Sequence, residues 1–490
     1  MAASHSIAFR AVLALALMIG FYVIALTIGF GLLYVPIGIV IYSNVFNLKI
    51  LIICWIAGGS ILFAIIPRVD RFVGPGPRLT ESEQPRLFKE IENVAVESMQ
   101  AMPAEVYLVS DVNAFVTERG GIMGIGSRRV MGIGLPLLQV LTVAELRAVI
   151  AHEFGHFRKG DTKLGPWVYK TRSAIGRTLV ALSQQGSLFE APFIWYGKMF
   201  MRVAQSVSRA QEFVADEVAA QVAGAQHLIS GLKRISLASY AFHSYWQDEV
   251  APAIDTGFMP PIAAGLKQFM QAPEIAKQLE DVVSTTKDKS NPYDSHPSLQ
   301  ARIDALSKLS LPPSATDERP AISLLDDIPQ LEMRMIGLII GETESRGLTK
   351  IEWKEVGSHV HLKIWKSQYR GFRTALAGIT PLTLGPALRE PKAITSKLHT
   401  GVAQHWSTEF RESYPKILAG IAISLCLVER GWNVEVKFGE SVKLTYNSGE
   451  CFPFDSTAKL ASDASNDAAW ANFCEGVGIA GVDLGEIEVS

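Results

Sequence analysis

Cysteine is scarce in this chain, with four in 490 residues. Cys54, Cys426, Cys451 and Cys474 show no Cys-x-x-Cys spacing. That excludes a thiolate zinc ribbon and a disulfide framework, and it suits a reducing compartment. Net charge is also nearly absent, at −2, so nothing electrostatic points to nucleic acid. Two stretches lack charge of either sign altogether, from Arg10 to Lys49 and from Lys49 to Arg68. No acidic, basic or histidine side chain lies inside them to line an ion pathway, which argues against a transporter.

These two runs account for a mean hydropathy of +0.21. The first is too short for two full crossings of a bilayer at about 20 residues each. It reads as one long or tilted helix over residues 11–35, with Pro36 beginning an irregular exit, and the second span covers 50–67. A secretory signal peptide is the alternative for the first run, but the run far exceeds the usual apolar region and a second span follows. Arg68, Arg71, Arg78 and Arg86 follow the second span, whereas the intervening loop offers only Lys49. By the positive-inside rule the bulk of the chain faces the cytoplasm, which makes this an integral protein of a cell or inner membrane. The length allows two to three folding units: a transmembrane hairpin over 1–73, a central domain over 74–318 and a small α+β domain over 319–490 whose role the sequence does not state.

The central domain contains His152-Glu153-Phe154-Gly155-His156, an HExxH sequence. Thr142 and Glu145 read as a capping box, and Leu146, Val149 and Ile150 supply a buried stripe, so the motif falls on an amphipathic helix. Histidines four apart share a helix face and can hold one Zn²⁺, with Glu153 placed to take a proton from a metal-bound water. A satisfied pair of core histidines beside a solvated glutamate is the alternative. Gly155 costs about 1 kcal/mol relative to Ala in a helix, which suggests that something packs close to it; a plain helix contact would suffice.

A catalytic zinc takes three protein ligands and a water. Lys159 and Thr162 exclude the extended metzincin spacing, and no cysteine lies near, so a carboxylate is the expected third ligand. On the segment Val203–Val218, Gln205, Arg209, Glu212 and Asp216 form a stripe apart from the apolar one. Like charges at i,i+4 repel by about 0.2–0.5 kcal/mol, and a cation together with Arg209 would relieve Glu212 and Asp216. An ordinary solvated face is the other reading. Glu190 and Glu217 are weaker candidates.

Several segments together resemble the integral-membrane zinc metallopeptidases that include HtpX-type proteases and type I CAAX prenyl endopeptidases. They are Asn113-Ala114-Phe115, Gly134-Leu135, Leu146 to His156, Gly160-Asp161, Arg209 to Asp216 and His296 to Ile303, spread over about residues 80–307. The resemblance implies a membrane-anchored, mainly helical α+β fold with a zincin-like (gluzincin-type) metallopeptidase domain over 74–318. It implies one Zn²⁺ per chain held by His152, His156 and Glu212, with Glu153 as general base. Asp216 then resembles a carboxylate orienting a ligand, and Asp161 something similar, although a helix-end aspartate explains Asp161 as well. His296 and Arg302 resemble a pair near the substrate carbonyl; the alternative is a turn at His296-Pro297 with Arg302 in an ion pair. A strand around Asn113, Ala114 and Phe115 is implied as a free edge on which an extended polypeptide substrate pairs.

The expected function is therefore a zinc-dependent endopeptidase, with quality control of membrane proteins as a setting. The alternative is a membrane-tethered chaperone or assembly factor with a structural or vestigial metal site. Elsewhere, Gly74-Pro75-Gly76-Pro77 reads as a linker and residues 84–101 as a helix. Val106–Val109 and Arg128–Ile133 read as strands. Residues 162–205, with aromatics among Lys and Arg, suit either an interfacial helix or core packing, and 243–295 a lid-like insertion. In the C-terminal region, Ser358 to Lys363 alternates like a strand, with His359 and His361 on one face. Leu324–Gly341, Ile417–Glu429 and Ala468–Glu475 look helical, and Val434–Phe438 with Ser441–Tyr446 forms a hairpin.

Overall fold

A computed structural model of the protein describes residues 2–43, 46–66, 72–121, 126–157, 171, 174–180, 182, 187–285, 296–311, 316–398 and 405–489. The chain is mainly helical and divides into two compact units: residues 1–239 with 284–338, and residues 240–283 with 339–490. That division differs from a boundary near 319. The described part of the expected insertion, 243–285, falls in the second unit up to Val283.

The first unit begins with an apolar helical hairpin, α1 (Ala2–Ser43) and α2 (Leu48–Ile65). Both are long and apolar enough to cross a bilayer. Contrary to the expected exit at Pro36, α1 continues through it to Ser43. Proline removes one backbone donor and loosens the turn before it, which an apolar helix tolerates when a neighbour supplies a donor. Here the Trp55 indole Nε1 donates to the Leu33 carbonyl at 3.1 Å. Asn47 then caps α2 through the Lys49 and Ile50 N–H groups. The two helices touch where glycines meet, since a Cβ on Gly58 would lie 2.7 Å from the Gly29 carbonyl oxygen.

Near its first half α1 runs beyond α2, and other helices cover that overhang. Met18, Phe21 and Ala25 bury against Ala174, Ile175 and Leu182, and against Phe193, Tyr196 and Phe200. The Tyr196 hydroxyl donates to the Leu17 carbonyl at 2.6 Å. The described part of 162–205 is thus packed on the hairpin, while Trp195 is exposed.

Beyond the hairpin lies a four-stranded sheet, β1 (Arg78–Leu79), β2 (Glu105–Val109), β3 (Ala114–Arg119) and β4 (Arg128–Gly134), in the order β1-β2-β4-β3. β2 and β4 are parallel, and β3 is an outer strand antiparallel to β4. The expected linker is tied to this sheet, for Leu108 N–H donates to the Pro77 carbonyl at 2.9 Å. Helix α3 (Pro85–Glu97) is followed by the sheet and then by α4 (Leu135–Val140) and α5 (Val143–Gly155), which carries HExxH.

The start of α5 is unusually well anchored. Thr142 Oγ1 accepts from Glu145 N–H at 3.3 Å, and Glu145 Oε2 accepts from Thr142 N–H at 2.8 Å. The next two first-turn donors, Val143 and Ala144, bond the carbonyls of Arg319 and Asp317 at 2.8 and 3.1 Å. The orphan donors that every helix start must satisfy are thereby occupied. Glu145 is itself buried and meets Ser230 and Arg234 of the following helical hairpin.

The second unit is built around buried Trp365, Tyr369, Leu418, Ile421, Leu425 and Trp470. The segments expected as helices and a hairpin take the expected form with other bounds: Thr408–Glu429 begins well before Ile417, Asp467–Gly476 lies close to the expected helix, and strands Asn433–Glu435 and Lys443–Tyr446 join an unexpected third, Gly449–Cys451. Ser358 to Lys363 does not: it is helical, running from Gly357–His361 into Leu362–Phe372. Val360, Trp365 and Tyr369 are its buried positions, a helical spacing that the short alternation concealed. His359 rests against the Phe258 ring at 5.3 Å and His361 near Trp365 at 5.9 Å.

Removing the Thr142 cap tests how much the anchoring of α5 contributes. Thr142→Ala should lower stability by about 1 kcal/mol, read as a lower thermal midpoint of the purified full chain; an unchanged midpoint would show that the backbone bonds from Asp317 and Arg319 suffice.

Candidate metal centre

Three helices converge on the HExxH residues. α5 supplies His152, Glu153 and, at its C-cap, His156. α6 (Ser187–Ala223) supplies Glu212 and Asp216, and, after α7 (Ala225–Ser244), the short α8 (Leu299–Leu306), capped by Ser298, supplies Arg302. Gly155 sets the spacing between the first two: a Cβ there would lie 2.8 Å from the Ala215 Cα and 3.0 Å from its carbonyl oxygen. Only glycine lets α6 come this close, and Ala215 lies between the two carboxylates. A helix-packing contact thus explains the glycine.

Ligand-capable atoms of His152, Glu153 and His156 lie within 4.8 Å of one another. Glu212 reaches the same place, with Oε2 at 3.5 Å from His152 Nε2 and Oε1 at 3.6 Å from His156 Nε2. Both separations are long for hydrogen bonds, and the buried Oε2 has no hydrogen-bond partner. Two ligand atoms on one tetrahedral ion with bonds of about 2.0–2.1 Å stand about 3.3 Å apart. The donor set and its spacing therefore fit a divalent metal, which would satisfy the orphaned oxygen.

Behind the metal-facing atoms is a buried charge network. His152 Nδ1 donates to Asp216 Oδ1 at 3.0 Å, which turns Nε2 toward Glu212. Arg302 clamps Asp216 through two bonds, Nε to Oδ2 at 2.9 Å and Nη2 to Oδ1, and its Nη1 is 3.6 Å from Glu212 Oε2. Arg302, expected beside a substrate carbonyl, is thus enclosed behind His152, the ion-pair alternative. The cation that meets both carboxylates is Arg302 and not Arg209, which is half-buried on α6 one turn before Glu212.

The remaining expected residues are placed unevenly. His296 is exposed at the rim, its Nδ1 3.0 Å from Glu212 Oε1. Glu217 is exposed and accepts from Gln221. Asp161 lies outside the described residues, as does the side chain of Glu190. On β3, Gly134 N–H donates to the Asn113 carbonyl, so by strand alternation Ala114 and Val116 turn their backbone groups away from β4. Val116 N–H points at Glu153 Oε2, 3.4 Å away. Phe115 lies over Gly132 on β4. Val116 was missed in the sequence, although the β-branched run Val116-Thr117 signals a strand.

In the metal-free site the charges are set by burial against these partners. Burial disfavours a charged His152, but its bond to Asp216 and the nearby Glu212 carboxylate outweigh that and hold it up at about 9. Burial and the neighbouring His152 push His156 down to about 4. Burial and the nearby Glu212 raise the Glu153 carboxyl against the pull of His152 and the Val116 N–H. Glu212 and Asp216 are held below the usual carboxylate range, His152 and the cations beside them overcoming burial.

Comparison with known proteins agrees with this arrangement. Residues 81–310 match the family model of peptidase family M48, a stretch holding every residue of the site. Over that segment the chain is similar to peptidase family M48. It is similar to a protease HtpX homolog of Tropheryma whipplei, 29% identical over 160 residues, covering 29% of this chain and 53% of the relative. It is similar also to protease HtpX of Erwinia tasmaniensis, 27% over 231 residues, covering 40% and 74%, and of Escherichia coli, 26% over 316 residues, covering 58% and 94%. The chain thus spans about half the length of the first of these HtpX relatives.

Gly155→Ala discriminates the packing role of the glycine from simple helix propensity. Propensity alone would stabilise α5 by about 1 kcal/mol; overpacking against Ala215 should instead cost about 1–3 kcal/mol. A lower thermal midpoint with less retained metal is the expected result, and a raised midpoint would refute the close-contact reading.

Proposed function

We propose that this chain is a membrane-anchored, zinc-dependent endopeptidase of peptidase family M48. The observation that carries this is the buried Glu212 carboxylate, whose Oε2 has no hydrogen-bond partner, facing two imidazoles at the spacing of shared metal ligands. His152, His156 and Glu212 would hold the ion. Asp216, clamped by Arg302, would fix the His152 ring so that Nε2 faces the metal. A bound zinc supplies a Lewis acid that polarises a carbonyl and acidifies water.

The chain's own groups do the rest. Glu153 is half-buried on the open side of the site, with a carboxyl raised by burial, which suits it to take a proton from water and deliver it to the leaving amine. His296 at the rim is placed to donate toward an oxyanion. The outward-facing backbone groups of Ala114 and Val116 would pair with an extended substrate, so that recognition rests on main-chain bonds. The apolar hairpin would anchor the protein in a bilayer, and the arginines after α2 support a catalytic unit on the cytoplasmic side. Membrane-protein quality control is the setting this reading favours.

A second reading, a tethered chaperone or assembly factor with a structural metal, draws on residues 311–490 lying outside the family match. A purely structural ion has no use for Glu153, and the two readings part there. Glu153→Gln should retain about one zinc per chain and lose turnover of a test polypeptide by about 10²–10⁴-fold, whereas Glu212→Ala should lose the zinc. Normal turnover in Glu153→Gln would remove the general-base assignment, and a biological role that survives it would favour the second reading.

Proton competition gives an independent check. Metal-free His152 keeps its proton up to about 9, so a cation must displace it at neutral pH. Zinc affinity should rise with pH, about tenfold per unit between roughly pH 7 and 9, and level off above that. His156, neutral above about 4, adds no slope in that window. A chelator-competition series giving constant affinity from pH 7 to 9 would contradict the hydrogen-bond network around His152.

A further inference from the structure

In the second unit, outside residues 81–310, strand Gly449–Cys451 is an outer edge of the three-stranded sheet. The two-residue turn Asn447-Ser448 sets Tyr446 opposite Gly449, so those two exchange hydrogen bonds. By alternation the next pair, Thr445 and Glu450, does not. Glu450 therefore turns its N–H and C=O away from the sheet, and among the described residues neither meets a protein partner.

That edge borders a cavity of about 290 Å³. Glu450 and Cys451 both line it, although consecutive strand residues face opposite ways, which places the cavity beside the strand and not under one face. Phe452, Leu460, Trp470 and Phe473 form its apolar wall. The Trp470 indole Nε1 donates to the Pro381 carbonyl at 2.9 Å, and its ring stacks with Phe473 at 5.4 Å, so the wall presents carbon.

One charge at this cavity lacks a counterpart. The Glu450 carboxylate lies 3.8 Å from Lys443 Nζ. Lys459, which lines the cavity from helix Pro453–Ser462, is exposed and has no acid within ion-pair distance among the described residues.

These features narrow the occupant. A free donor and acceptor on one strand residue match the main chain of one extended residue. An apolar volume near the lower limit of roughly 300 Å³ for ligand pockets suits one large side chain. An ammonium without a counter-charge suits a carboxylate. The last residue of a polypeptide carries all three.

We propose that the Glu450 edge, Lys459 and the Trp470 wall form a seat for the apolar C-terminal residue of a polypeptide. The terminal N–H donates to the Glu450 carbonyl, and the terminal carboxylate accepts from the Glu450 N–H and from Lys459. The side chain fills the cavity. The seat uses none of the metal-centre residues and does not rest on the endopeptidase reading.

The test uses the full chain in detergent micelles, with Glu153→Gln in every sample to suppress cleavage of the probe. The probe is a fluorescein-labelled hexapeptide ending in Val-Phe, read by fluorescence anisotropy as the free acid, as the C-terminal amide and with its last amide nitrogen methylated. Lys459→Gln removes the cation, Ala469→Phe fills the cavity, and Lys437→Gln is the charge-matched control.

The free acid should bind most tightly, with the amide and the methylated peptide each weaker on the order of 5-fold. Lys459→Gln should bind acid and amide alike, at the level of the amide. Ala469→Phe should lose the acid at an unchanged thermal midpoint, and the control should bind as the parent does. No binding by the parent, or equal binding of acid and amide, overturns the proposal. So does undiminished binding of the acid by Lys459→Gln, which decides alone if Ala469→Phe fails to fold. Displacement of the peptide by 3-phenylpropionate at matched concentration also overturns it, marking a pocket for small aromatic acids.

Discussion

The contact of Gly155 with Ala215 is the constraint from which the rest of the first unit follows. Two helices at that separation present one turn of each to the other. α5 offers imidazoles at positions 152 and 156, and α6 answers with carboxylates at 212 and 216, straddling the contact residue. A side chain at 155 would force the helices apart and carry Glu212 away from the imidazoles. The capping box at Thr142 and the strap at 317–319 hold the other end of α5, so the helix is fixed at both ends.

Burying two carboxylates so close together is expensive unless cations share the space. The chain supplies one permanent cation, Arg302, against Asp216, and turns the Glu212 carboxylate toward nitrogen ligands. This arrangement separates an inner ion pair, Asp216 with Arg302, from the Glu212 carboxylate that faces the imidazoles. It also explains why Glu153, His156 and His296 form the accessible face of the site: they are the groups the network leaves within reach of solvent.

Local features of this site were legible in the sequence, and distant pairings were not. The cap of α5, the shared face of His152 and His156, and the strained Glu212–Asp216 spacing are all properties of single helices. The partner of those acids was assigned to Arg209, the nearest cation along the chain, whereas Arg302 is 86 positions from Asp216; helical periodicity carries no information across such a gap. Pro36 misled for a related reason, since a donor that supports the turn before it, Trp55, comes from the neighbouring helix. At Ser358–Lys363 the alternating window was too short to separate a strand from a helix, and the helix emerges only when Trp365 and Tyr369 are counted with it.

α6 is one continuous helix from the residues packed on α1, Phe193, Tyr196 and Phe200, to Glu212 and Asp216. From Tyr196 to Glu212 it measures about 24 Å. A stiff rod of that length magnifies angle into displacement: a tilt of about 5° at the hairpin moves the far carboxylate by about 2 Å, the length of a whole coordination bond. The tolerance for error at the candidate metal centre is therefore set partly by how firmly Tyr196 grips the Leu17 carbonyl, a hydrogen bond several turns away from the histidines.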